Sequence, residues 1–122
     1  MEEPPRILIV DNEPLVLGLF TEILREAGYD VQAVGSGTQG IEAAQQGSFH
    51  LLVLDLSMPE PDGFEILKIL RSTKPELKIL VVSGFMHGAL LRAAGLFGAA
   101  ATMNKTDAPR LLLKTVRNLL AL

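Results

Sequence analysis

Leu51-Leu52-Val53-Leu54-Asp55-Leu56-Ser57-Met58-Pro59-Glu60-Pro61-Asp62-Gly63 is the stretch that decides how this chain folds. An apolar run suited to a strand buried on both faces ends on one carboxylate and breaks into a Pro-rich turn. Asp is depleted in strands and costly to bury unpaired, so Asp55 reads as placed for chemistry rather than for packing. In an open α/β sheet, ligands bind at the carboxyl ends of the strands. The other strand ends are therefore the next thing to read.

Outward from this stretch, strand-like and helix-like patterns alternate five times. Ile7-Leu8-Ile9-Val10 is a short β-branched run. Val16, Leu19, Phe20, Ile23, Leu24 and Ala27 then recur at helical spacing, with Gly28 as a stop. Residues 30–34 form a second strand. Ser36-Gly37-Thr38-Gln39 has the form of a capping box, opening a helix through Gln46 that Gly47 terminates. The third strand covers 50–55, and Asp62-Gly63-Phe64-Glu65 opens the next helix, with Phe64, Leu67, Ile69 and Leu70 as its apolar positions. A fourth strand is predicted over 77–82, a helix over 87–95, a fifth strand over 99–103 and a last helix over 107–121. That helix carries Leu112, Leu113, Val116, Leu119 and Leu120, with Arg110, Lys114 and Arg117 toward water. Five βα units with short connections imply a parallel sheet with helices on both faces.

Composition excludes several classes. The 122 residues suffice for one domain with its own core, and residues 1–5 are predicted to fray. An apolar share of 48% with 20% charged residues fits a soluble globular chain. A net charge of −3 argues against a nucleic-acid surface, and the absence of cysteine removes disulfides and thiolate metal sites. No apolar run has the length of a membrane span, and the N-terminus lacks a signal peptide's basic start, so the expected location is cytoplasmic.

The first strand runs into Asp11-Asn12-Glu13, the third ends in Asp55, the fourth leads to Ser83 and the fifth to Lys105. If the strand order reverses near strands one and three, these groups converge on one edge. Clustered carboxylates are stable around a cation, and all-oxygen ligation favours Mg²⁺ or Mn²⁺. A lysine and a hydroxyl beside them suit phosphoryl oxygens, which together is the equipment for forming an aspartyl phosphate. Taken singly, Asp11-Asn12 reads as a helix cap, Asp55 as a turn former, Ser83-Gly84 as a loop pair and Lys105 as a solvated side chain. Their coincidence at four strand ends argues for the joint reading.

At this point the chain resembles the receiver domain of bacterial two-component response regulators. Val10-Asp11-Asn12-Glu13-Pro14, the stretch Asp55 to Gly63, Val82-Ser83-Gly84 and Gly98-Ala99 leading to Lys105 carry the resemblance, which spans 6–121. It implies a flavodoxin-like (βα)5 three-layer sandwich with a parallel five-stranded sheet in the order 2-1-3-4-5. It implies Asp55 as phosphoryl acceptor from a histidine kinase or phosphotransfer protein. Mg²⁺ would be held by Asp11, Asn12, Asp55 and the backbone carbonyl of Ser57. Ser83 would be the switch hydroxyl and Lys105 the phosphate counter-ion. The domain would be a phosphorylation substrate that assists its own chemistry, not a turnover enzyme. The face formed by the fourth helix, fifth strand and fifth helix, with Leu90, Leu91, Leu96 and Phe97, would dock an output partner or a second copy. The apolar last helix fits either a stand-alone receiver or one domain of a longer protein.

Three positions depart from the family pattern. Asn12 stands where a second acidic residue is usual, which predicts weaker Mg²⁺ binding with Glu13 compensating through water. Thr102 replaces the usual aromatic three residues before the lysine, and Thr106 replaces the proline after it. A trans bond or reshaped loop is expected there, since a non-proline cis bond costs roughly 2.5–4 kcal/mol. These departures define an alternative, a receiver-like interaction module that is not phosphorylated. Another alternative comes from Gly35-Ser36-Gly37-Thr38-Gln39-Gly40, which has dinucleotide-binding form with Asp55 following at the next strand end. That reading leaves Asp11, Ser83 and Lys105 without a role. His50 and His87 lack partners at ligand spacing and read as loop residues, and Asp62 reads as a helix cap.

Overall fold

The strands richest in apolar residues occupy the middle of the sheet. The computed structural model describes residues 3–84 and 88–121. Its elements are β1 (Arg6–Val10), α1 (Pro14–Glu26), β2 (Asp30–Val34), α2 (Gly37–Gln46), β3 (Leu51–Asp55), α3 (Gly63–Thr73), β4 (Lys78–Ser83), α4 (Gly88–Leu96), β5 (Ala101–Asn104) and α5 (Ala108–Leu120). A 3-10 turn, Lys105–Asp107, joins β5 to α5. All pairings are parallel and the order is β2-β1-β3-β4-β5. The flavodoxin-like sandwich and its strand order are as the sequence led one to expect.

Alternation along the strands builds two cores. Ile7, Ile9, Leu51, Val53, Leu80 and Val82 face α1 and α5, where Phe20, Leu24, Leu112 and Val116 cover them. Leu8, Val10, Leu52, Leu54, Ile79 and Val81 face the opposite way, onto Ile66, Leu67 and Leu70 of α3 and Ala94 of α4. Every residue of β3 is buried, whereas edge strand β2 buries Val31 alone. Burial on both sheet faces explains why β3 reads as one apolar run and β2 does not.

The predicted helix ends hold, with informative shifts. Gly28 follows α1 at φ +96°, a left-handed conformation that glycine adopts without a Cβ penalty. Ser36 Oγ accepts from the Gln39 N–H at 3.2 Å, but the Gln39 side chain meets the Ser36 hydroxyl instead of a backbone amide. Asp62 Oδ1 accepts from the Glu65 N–H at 3.0 Å, so Asp62 is the cap of α3. The buried stripe of α3 is Ile66, Leu67 and Leu70; Phe64 and Ile69 are only half-buried, and Ile66 was not singled out from the sequence. β5 begins two residues later than expected. The Ala99 N–H closes the end of α4 on the Ala94 carbonyl and Ala100 bonds Ile79 before the strand starts. No described helix is long and apolar enough to cross a membrane.

Candidate functional site

The carboxyl ends of β1, β3, β4 and β5 lie along one edge of the sheet, and each delivers a polar side chain. Asp11 follows β1, Asp55 ends β3, Ser83 ends β4 and Lys105 follows β5. Asp11 and Asp55 are each 2% exposed and Ser83 is 0%; they are the buried polar residues among those described. Burying such groups is costly unless they are paired, so their pairing is the chemistry of the site.

Both carboxylates are held in the same way. Asp11 Oδ1 accepts the Glu13 N–H at 2.8 Å, and Asp55 Oδ1 accepts the Ser57 N–H at 2.9 Å. Each is an Asp bonding its own backbone two residues on, a local turn that a strand-to-loop transition readily forms. The two Oδ2 atoms meet one cation: Lys105 Nζ lies 2.9 Å from Asp11 and 3.2 Å from Asp55. Glu13 Oε1 reaches the same ammonium from the rim at 2.7 Å. The reading of Asp55 as a turn former is thus half right, since one oxygen serves the backbone and the other the cluster, whereas Asp11 bonds the Glu13 N–H and no side chain caps α1.

Burial raises the Asp55 pKa, the Ser57 N–H opposes it, Asp11 raises it further, and Lys105 pulls it down. Burial alone would lower the Lys105 pKa. Hydrogen bonds to Glu13 and Asp11 and the charges of Asp55 and Asp11 outweigh burial and hold it well above the ordinary lysine value. The ammonium is therefore a permanent charge. Ser83 Oγ lies 2.6 Å from Ser57 Oγ, so the buried hydroxyl is also bonded.

Asp11, Glu13 and Asp55 offer carboxylate oxygens within 4.8 Å of one another. Three carboxylates against one ammonium leave an excess of negative charge on hard oxygen donors, a set that fits Mg²⁺. Glu13 joins this cluster through its bond to Lys105 and its oxygen's reach of Asp11 and Asp55. Its adjacency to Asp11 was the one available signal. Asn12 is exposed at the rim of the site. The bond from Lys105 to Thr106 is not cis, since the cis bond among the described residues is Glu60–Pro61.

The glycine-rich loop has another explanation. A Cβ on Gly37 would lie 2.5 Å from the Pro61 carbonyl oxygen, and one on Gly40 would lie 2.7 Å from Val10 Cγ2. These glycines let α2 approach the sheet and the loop before α3. The loop also follows edge strand β2, and Asp55 is engaged with Lys105. His50 lies at the other end of β3, where its Nδ1 accepts the Arg6 N–H at 2.9 Å, extending strand pairing. His87 lies outside the described residues.

Known proteins share both the sequence pattern and the fold. The family model described as response regulator receiver domain matches residues 7–117. Transcriptional activator protein ExaE of Pseudomonas putida is 34% identical over 117 residues, covering 94% of this chain and 55% of that protein. Transcriptional regulatory protein TcrA of Mycobacterium tuberculosis is 35% identical over 96 residues, covering 78% of this chain and 37% of that protein. The chain thus spans from about a third to just over half the length of the curated relatives it matches. Among solved structures, a CheY-like receiver domain protein from Methanospirillum hungatei superposes with a TM-score of 0.91 at 28% identity, covering 97% of this chain and 94% of that one. Response regulator protein TrrA from Thermotoga maritima, solved in complex with Mg²⁺ and BeF, gives 0.85 at 28% identity, covering 94% and 98%.

Proposed function

This chain belongs to the response regulator receiver domain family, and from that premise we propose that it is a phosphorylation switch with Asp55 as the acceptor. One observation carries the reading: a single ammonium, Lys105 Nζ, bonds the Oδ2 atoms of two almost fully buried carboxylates at the carboxyl edge of the sheet. A buried, oriented carboxylate beside a fixed cation is suited to nucleophilic attack that develops negative charge.

The phosphoryl donor is a phosphohistidine of a histidine kinase or phosphotransfer protein. A carboxylate oxygen of Asp55 forms the new P–O bond as the P–N bond breaks. The bonding pair stays on the imidazole nitrogen, which takes a proton from solvent. The Ser57 N–H fixes the Asp55 plane, Lys105 offsets charge on the phosphoryl oxygens, and Ser83 supplies a hydroxyl to the modified group. Mg²⁺, held by Asp11, Asp55 and the Ser57 backbone carbonyl with Asn12 and Glu13 at the rim, would supply further positive charge to those oxygens. The domain is thus a substrate of its kinase.

The output is a population shift read at the face of α4, β5 and α5. Leu90 and Leu96 of α4 are 41% and 89% exposed, which supports a docking role toward an output partner or a second copy, while Phe97 turns to α3, edge-on to Phe64 and beneath Lys68. Thr102, on β5, offers no aromatic ring to swing, so the change must travel by backbone and hydroxyl movements. A net charge of −3 gives this domain no footprint for nucleic acid, and a cytoplasmic setting fits the kinase partnership.

The test is intact mass after incubation with acetyl phosphate, with and without Mg²⁺, beside Asp55→Asn. One phosphoryl adduct that requires Mg²⁺ and vanishes in the variant is the expected result. No adduct at any donor or Mg²⁺ concentration would refute the reading.

A further inference from the structure

Ser57 touches both working ends of the site. Its N–H donates to Asp55 Oδ1 at 2.9 Å, and its hydroxyl pairs with Ser83 Oγ at 2.6 Å. Ser83 is 0% exposed, so water does not compete for its hydroxyl. Ser57 is exposed at the rim, so its own hydroxyl can turn to water, whereas the short bond between the two is what satisfies the buried Ser83 hydroxyl. A buried hydroxyl released from such a bond needs another acceptor, because leaving it unsatisfied is costly. A phosphoryl group on Asp55 is such an acceptor, three strongly accepting oxygens arriving on the carboxylate that Ser57 already orients.

We propose that the Ser57 hydroxyl is a latch: its bond to Ser83 holds the switch hydroxyl in the unphosphorylated arrangement, and is given up when Ser83 turns to the phosphoryl oxygens. Ser57 is a positioning residue, acting through Ser83 rather than on the phosphoryl group. The two bonds compete for one side chain. The strength of the latch therefore sets how far the phosphorylated arrangement is favoured. This inference rests on the phosphorylation reading above.

The test uses beryllofluoride with Mg²⁺ as a phosphoryl mimic, with binding measured by calorimetry on the whole chain. Ser57→Ala keeps the backbone N–H and carbonyl and removes only the hydroxyl. Loss of one net hydrogen bond from the unbound arrangement should tighten binding about three- to tenfold. Ser57→Thr restores a hydroxyl and should return the affinity to within about twofold of the parent. The effect of Ser57→Ala should also vanish in a Ser83→Ala background, because the latch has nothing else to hold. A purely structural role for Ser57 would survive that background. Unchanged or weaker binding by Ser57→Ala would overturn the latch while leaving phosphorylation standing. A parent chain that binds no beryllofluoride would remove both.

Discussion

Replacing Asp55 by Asn should abolish the acceptor and, in Mg²⁺-free buffer at pH 7, make the fold more stable. The Asn oxygen can still accept the Ser57 N–H, and Lys105 keeps Asp11 and Glu13 as partners, so charge is the main thing that changes. At an effective dielectric of about 20, Lys105 at 3.2 Å attracts the Asp55 charge by about 5 kcal/mol. Asp11, with an oxygen within 4.8 Å, repels it by about 3.5 kcal/mol or more. Glu13, 60% exposed, adds a smaller repulsion because water screens it. The pair energies nearly cancel, and the cost of burying the carboxylate decides the sign. The raised pKa of Asp55 reports the same balance. A carboxyl whose folded pKa exceeds its unfolded value contributes stability that is complete below the unfolded pKa, near 4, and is lost as pH rises through the folded pKa. By pH 7 the ionised group is a net cost, of about 1–2 kcal/mol by the behaviour of buried charges replaced with neutral groups. That corresponds to a Tm gain of roughly 4–8 °C for a chain of this size. Thermal melts followed by far-UV circular dichroism, in EDTA at pH 7 and again near pH 4.5, measure it. The gap between variant and parent should be largest at pH 7 and close on acidification. A variant melting at or below the parent at pH 7, or a gap independent of pH, would refute the argument.

Lys105→Met removes the cation shared by Asp11 and Asp55, so urea denaturation at pH 7 should show a loss of about 3 kcal/mol. Part of that loss should return at lower pH, as Asp55 takes up a proton. Gly63→Ala would put a Cβ 2.3 Å from Leu56 Cα and 2.8 Å from the Asp55 carbonyl oxygen. Backbone on both sides must move, so a loss of about 3 kcal/mol in urea, with a fall in phosphoryl uptake, is expected. Asp62→Ala deletes the 3.0 Å cap bond to Glu65 and should cost about 1 kcal/mol in the same titration, leaving the acetyl phosphate adduct unchanged.

Much of this architecture was written locally. Apolar alternation and turn residues are properties of a few neighbouring positions, so β1, β2 and β3 fell close to where their sequence patterns put them. The same locality made the strand-end residues visible, because an Asp after Leu51-Leu52-Val53-Leu54 stands out whatever lies beside it in space. Boundaries were less legible where two helpers compete for one segment. Ala99 and Ala100 suit a strand by composition, but their N–H groups are claimed by Ala94 and Ile79, and β5 starts only after them.

Contacts between distant residues belong to the tertiary structure alone. Glu13 and Lys105 are 92 positions apart, and nothing near either residue announces a 2.7 Å bond between them. Ser57 and Ser83 likewise meet only because β3 and β4 pair in a register that sets Asp55 beside Val82. The sequence could name the groups at the strand ends, since hydrophobic period and turn chemistry are local. Which oxygen faces which nitrogen follows from strand order, register and burial, which exist only once the sheet has assembled. That assembly turned Glu13 into the third carboxylate of the site and a loop serine, Ser57, into the partner of the buried Ser83 hydroxyl.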